Sequence, residues 1–213
     1  MTAGSSLSVY GVLISFMAGS WLVVGCATSA SDLINVPPER LANDTYTAQD
    51  SGYTITLPPL VKPGARIEER QTGPATQGVF FADDFGKVYY VLRTDNTRQK
   101  LTLEQISDDF AVGELLREKH YTTTDRGKEL RLVGINKGGS PIVSRTQEKE
   151  GWVERKHDLY EAWSIFIRDV HIYQVTAGVT QLHGESENDM FNKAKSNLEG
   201  FLKGLSIKQT KQE

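Results

Sequence analysis

Apolar residues along this chain follow a period of two in some stretches, a period of three to four in others, and run almost without a break near the start. From 52 to 57, Tyr53, Ile55 and Leu57 alternate with Gly52, Thr54 and Thr56, as a strand with one buried face requires. Pro58-Pro59 ends it, since proline cannot donate to a ladder. Residues 78–81 and 87–93 are β-rich runs on either side of Asp83-Asp84-Phe85-Gly86, which predicts an antiparallel hairpin with the aspartates as turn residues. Further strands are expected at 129–135 and, beyond Gly138-Gly139-Ser140-Pro141, at 142–147. A long pair follows at 159–168 and 171–180. Only Asp169-Val170 lies between them, so they must pair antiparallel, and they are expected at the centre of the sheet.

Elsewhere the spacing is helical. Thr102 and Gln105 form a capping box ahead of Ile106, Phe110 and Leu115 or Leu116, predicting a helix to about Lys119 with Asp108-Asp109 in its first turns. Ser186-Glu187-Asn188-Asp189 opens a second helix, where Phe191, Ala194, Leu198, Phe201 or Leu202 and Leu205 make one apolar stripe and Lys193, Lys195 and Lys203 take the other face. The order strands, helix, strands, helix predicts an α+β fold: an antiparallel sheet with a central and a C-terminal helix packed on it. It is expected as one domain over 49–208, with a disordered tail at 209–213. Residues 26–48, including Ser29, Ser31, Pro37 and Pro38, carry no sustained period and read as a tether.

Residues 9–25 are dominated by Val, Leu, Ile, Phe, Ala, Gly and Trp, and no Asp, Glu, Lys or Arg occurs before Cys26. A spanning helix needs about 20 apolar residues. This run is shorter, is broken by Ser15, Gly19 and Ser20, and reads as the core of a signal peptide over 1–25. It ends in Val23-Val24-Gly25-Cys26, whose thiol is the only one in the chain. That quartet resembles the lipobox of bacterial lipoproteins, although the positively charged start usual in such leaders is missing. The resemblance implies cleavage between Gly25 and Cys26, a diacylglycerol on the Cys26 thiol and an acylated amino group. Each buried methylene contributes about 0.8 kcal/mol, so two or three chains hold a protein on a bilayer. Ala27, rather than Asp, after the cysteine implies the outer membrane, facing the periplasm, in a diderm cell. An uncleaved membrane anchor and a buried apolar helix with an incidental cysteine are the alternatives.

The body has a resemblance of its own. Its opening Gly-Tyr-Thr-Ile-Thr-Leu-Pro-Pro, the Arg168-Asp169 turn between aromatic-rich strands and the C-terminal helix are similar to the PsbP-like family of small α/β sandwich domains, over roughly 46–208. That resemblance implies a domain that binds or assists other exported proteins without chemistry of its own.

Charge adds an exclusion. The net charge is -3, with 24 Lys and Arg interspersed among 27 Asp and Glu, so no basic stripe suggests nucleic acid as a partner. A single cysteine excludes an intrachain disulfide. His120, His157, His171 and His183 lack the close spacing of a metal site, and Asp83-Asp84 and Asp108-Asp109 lack a calcium-loop pattern. Ser140 lacks a nucleophile elbow. No catalytic residue, metal or cofactor is predicted. Trp152, Tyr160, Trp163 and Tyr173, with Phe166, form a candidate binding patch in the last strands, unless alternation places Trp163, Ile165 and Ile167 in the core beneath the helices. The expected function is a lipid-anchored, non-catalytic binding or assembly factor of the cell envelope. Its partners would be the bilayer, through acylated Cys26, and another envelope protein. The alternative is an envelope hydrolase or small-ligand carrier with a pocket between sheet and helices, using His157, His171 or Asp158.

Overall fold

A computed structural model describes residues 33–58, 65–71, 75–110, 115–148, 151–181 and 184–208. The leader, with Gly25 and Cys26, and the tail 209–213 lie outside the described residues. In chain order the elements are β1 (Leu33–Asn35), a 3-10 turn (Pro38–Arg40), β2 (Leu41–Ala42), β3 (Thr45–Thr47), β4 (Tyr53–Thr56), β5 (Arg66–Gln71), β6 (Thr76–Ala82) and β7 (Lys87–Asp95). Then come α1 (Leu103–Phe110), β8 (Leu115–Thr124), β9 (Gly127–Asn136), β10 (Val143–Glu148), β11 (Gly151–Lys156), β12 (Leu159–Arg168), β13 (His171–Thr180), α2 (Glu187–Lys203) and β14 (Leu205–Ile207).

The long pair behaves as its two-residue connection demands. β12 and β13 are in register from Leu159 opposite Thr180 to Arg168 opposite His171, and Asp169 takes the left-handed conformation (φ 54°) that such a turn needs. This hairpin is interior to an eight-stranded sheet ordered β1-β5-β6-β7-β13-β12-β9-β8. Its pairings are antiparallel except for β1, which runs parallel to β5. A four-stranded sheet, β14-β4-β3-β2, and the β10-β11 hairpin complete a sheet-rich α+β fold.

Alternation along β12 divides the core in two. Tyr160, Ala162 and Phe166 face α2 and the small sheet, in a cluster with Tyr46, Tyr53, Ile55, Phe191, Leu198 and Phe201. Trp163 and Ile165 face the opposite way and pack with Leu130, Leu132 and Ile172 under Leu103 and Ile106 of α1. The two helices therefore cover opposite faces, and Trp163 lies beneath α1 alone.

Three expectations change here. The capping box forms: the Thr102 N–H donates to Gln105 Oε1 (2.9 Å) and the Gln105 N–H to Thr102 Oγ1 (3.3 Å). The helix nevertheless ends at Phe110, and Leu115 to Lys119, expected to close it, are the start of β8. Pairing with β9, and the β-branched Thr122-Thr123-Thr124, outweigh the helical spacing of the leucines. Asp108-Asp109 consequently sit in the last turn of α1, not the first. The folded body also begins before residue 49: β1, β2 and β3 lie in the expected tether, and Val36, Tyr46 and Ala48 are buried. Strands of two or three residues are too short to show a period.

The second helix forms as its pattern predicts. Ser186 Oγ accepts the Asp189 N–H (3.2 Å), and Met190, Phe191, Ala194, Leu198, Phe201 and Leu202 are the buried stripe. Leu205 lies just beyond it, opposite Ile55 in the small sheet. Phe201 meets Phe81 edge-on at 5.8 Å and Tyr89 at 5.1 Å. Removing that ring leaves a cavity between helix and sheet, so Phe201→Ala is expected to cost about 3–5 kcal/mol, measured by urea denaturation with the far-ultraviolet circular dichroism of the folded state retained.

Candidate functional site

The aromatic residues picked out by sequence do not assemble into a surface. Tyr160, Trp163 and Tyr173 are each no more than 3% exposed. Tyr160 and Tyr173 belong to the α2 face and Trp163 to the α1 face, and Phe166 stacks on Tyr173 at 5.3 Å and 9°. Because both faces of the sheet are covered, alternation buries both sets. Trp152 lies elsewhere, opposite Gln147 in the β10-β11 ladder.

The histidines are also dispersed. His171 begins β13, whereas His157 precedes the opposite end of β12, so roughly 30 Å of ten-residue strand separates them. Burial and the neighbouring Arg93 guanidinium lower the His171 pKa, favouring the neutral ring. His120 is exposed on β8, and His183 lies outside the described residues. Among the described residues no group of three or more His, Cys, Asp or Glu is placed to hold a metal ion.

Among the described residues, the closest approach to a hydrolytic pair is His157 Nε2 at 3.0 Å from Ser144 Oγ. A dyad of this kind needs a group to orient the imidazole and N–H donors for an oxyanion. The neighbouring Asp158 carboxylate is engaged by Lys137 Nζ (2.6 Å) and the Gly138 N–H (3.0 Å). The Gly139 N–H donates to the Asn136 carbonyl (3.1 Å). Burial raises the Asp158 pKa, but these donors outweigh it and hold the carboxyl below its ordinary value. Asp83 Oδ1 accepts the N–H groups of Phe85 and Lys87, both at 3.0 Å, and Asp84 pairs with Arg66 at 3.3 Å. Both aspartates therefore act in the turn. Gly86 in that turn has φ 83°, and a Cβ there would fall 2.6 Å from Thr180 Cβ. Ser140 Oγ is 2.7 Å from Thr180 Oγ1 and accepts the Ile142 N–H (2.9 Å), as a turn residue would.

Three polar clusters escaped the sequence. Glu129 is fully buried and receives Thr124 Oγ1 (2.5 Å), Arg126 Nε (2.9 Å), Arg131 Nη2 (2.8 Å) and Ser164 Oγ (2.8 Å). Arg131 also reaches Glu199 on α2 (2.7 Å). Burial raises the Glu129 pKa, but the Thr124 and Ser164 hydroxyls and the Arg131 and Arg126 guanidiniums prevail and lower it. On the other face, the Tyr90 hydroxyl donates to Glu161 Oε1 (3.4 Å) and accepts from Trp163 Nε1 (3.3 Å) and Gln174 Nε2 (3.4 Å). Burial and the Glu161 carboxylate push its pKa far up, so it stays protonated and cannot act as a base. At the end of the sheet Arg93, 6% exposed, pairs with Asp50. Alternating Glu129-Leu130-Arg131-Leu132 reads by itself as a strand with a solvated face; only α2 lying across it makes that face interior. Glu129 with Arg126 and Arg131, and Arg93 with Asp50, are ion pairs, and the Tyr90 hydroxyl joins three side chains, contacts that tie neighbouring elements together.

No family model matches the chain, and no curated protein matches it. Solved structures do. The chain is similar to the solution structure of cyanobacterial PsbP (CyanoP) from Synechocystis sp. PCC 6803, with TM-score 0.44 and 13% identity over 90% of this chain and 99% of that one. It is also similar to a crystal structure from Bacteroides thetaiotaomicron VPI-5482, with TM-score 0.40 and 8% identity over 80% of this chain and 50% of that one. A PsbP-type protein is thus among its structural neighbours.

Glu129→Gln should destabilise the fold by about 3 kcal/mol near neutral pH, because the buried Arg131 and the half-buried Arg126 lose the carboxylate they share and keep only the exposed Glu199 and Asp125. A carboxyl whose pKa is depressed on folding contributes above its unfolded value of 4.5 and loses that contribution as pH falls through the folded value. The gap between wild type and Glu129→Gln should therefore narrow in acid, as followed by denaturation at stepped pH. Tyr90→Phe, which leaves the Trp163 and Gln174 donors without their shared acceptor, should cost about 1–2 kcal/mol in the same assay.

Proposed function

We propose that this chain is a bacterial lipoprotein whose body, from Leu33 to Lys208, is held at a bilayer by acyl chains on Cys26 and acts by binding or assembling another protein of the cell envelope. The observation that carries the proposal is the position of the single cysteine, directly behind Val23-Val24-Gly25 at the end of an uncharged apolar leader. In this reading the leader is a signal peptide cut before Cys26, and the body is a PsbP-like sandwich facing the periplasm from the outer membrane of a diderm cell. A binding role is favoured over hydrolysis by the separation of His157 from His171 and by the engagement of Asp158 away from the His157 ring.

Intact mass of the membrane-extracted protein tests the anchor. A chain beginning at Cys26 with added acyl mass is expected, and a Cys26→Ala variant should lack that mass. A bare thiol with the leader still attached would overturn the placement. The binding role is checked separately by purification from detergent-solubilised envelope, where a stoichiometric partner is expected and repeated recovery of the protein alone counts against it.

A further inference from the structure

Chain direction determines which end of the body lies next to the anchor. β1 runs parallel to β5 with Leu33 opposite Arg66, and Arg66 stands opposite Ala82 at the end of β6. The chain therefore joins the sheet at the end that carries the β6-β7 turn. Two strand spacings, about 10 Å, separate Leu33 from Ala82. Leu33 is the seventh residue after Cys26, so a fully extended connection spans at most about 25 Å.

The turn at this end presents an aromatic ring. Phe85 is 60% exposed and Ile34, beside the point where the chain joins the sheet, is 47% exposed. Phe85 sits on a braced turn: Asp83 Oδ1 holds the amides on both sides of Phe85-Gly86, and the Asp83 N–H donates to the Lys87 carbonyl (3.1 Å). The neighbouring Asp84 carboxylate is charge-compensated by Arg66, which lowers the cost of bringing it to a lipid surface.

We infer that the Phe85 turn is a foot with which the body rests on the bilayer that holds its own anchor, the ring entering the headgroup layer. This rests on the lipid-anchor reading. One ring would not retain a protein at a membrane. Beside a short tether, however, its local concentration at the surface is high, and aromatic rings favour the interface between headgroups and hydrocarbon. The contact then sets orientation: the β6-β7 turn faces the lipid, and the Asp169-Val170 turn, about 33 Å along the strands, points away.

The test uses the full lipidated chain, extracted from membranes and reconstituted in zwitterionic phosphatidylcholine vesicles carrying a nitroxide quencher near the headgroups, so that the Arg66 guanidinium freed by replacing Asp84 meets no anionic surface. With Cys26 acylated, Asp84→Cys supplies a single free thiol for a fluorescent label next to an intact Phe85, and Val170→Cys supplies one at the far end. Quenching at position 84 is expected to exceed that at 170 by at least about twofold, since a headgroup-depth contact falls within the quencher's layer. Adding Phe85→Ser to Asp84→Cys should cut quenching at position 84 by at least about twofold, leaving only the bias that the tether itself gives to this end. Equal quenching at the two positions, or quenching at 84 that is unchanged by Phe85→Ser, overturns the foot while leaving the anchor standing. A chain whose mass shows an unmodified Cys26 removes both.

Discussion

The antiparallel pairing of β12 with β13 is the constraint on which the rest of the molecule depends. A two-residue turn leaves the strands no other arrangement, and ten paired positions on each give a ladder long enough for β7 and β9 to add on either side. Once the ladder exists, strict alternation of side chains creates two apolar faces. One attracts α2 and the small sheet, the other the shorter α1. The helices follow from the sheet, since each brings only a single stripe to bury.

Burial on both faces then dictates how the polar residues must behave. Glu129 and Arg131 occupy strand positions that would meet water in a one-sided sheet. Under α2 they are enclosed and pair with each other, with Thr124, Arg126, Ser164 and Glu199 completing the set. A cluster of this kind tends to set which way elements meet more than how strongly they hold, because desolvation offsets much of the attraction. Tyr90 does the same work without charge on itself, by bringing Trp163, Gln174 and Glu161 to one hydroxyl.

Local signals were legible where their cause is local. The Thr102–Gln105 capping box, the Ser186 cap, the Asp83 turn and the two-residue turn at Asp169-Val170 all appear in the structure as the residues imply. Signals that depend on distant partners were not. Leu115 and Leu116 share the spacing of a helix, yet pairing with β9 draws them into a strand. Leu33 to Thr47 looks aperiodic because its strands are held by partners far along the chain, such as Arg66 and Thr56. The aromatic patch dissolved for a related reason: composition shows that rings are present, but only the layer above each face decides whether they meet water. Glu129 carries no local signal of burial, because a carboxylate in a strand reads as solvated until a helix is laid over it.

The outer border of the main sheet at β8 has a consequence for crowding. An edge ladder is an invitation for a like strand to add to it. Here the border is interrupted by a bulge between Leu116 and Glu118 and carries the charged Arg117, Glu118 and Lys119. A second copy approaching flat against it meets a kink and charged side chains of both signs before it can match a register, so neighbouring molecules can stand close together without zipping into a fibre.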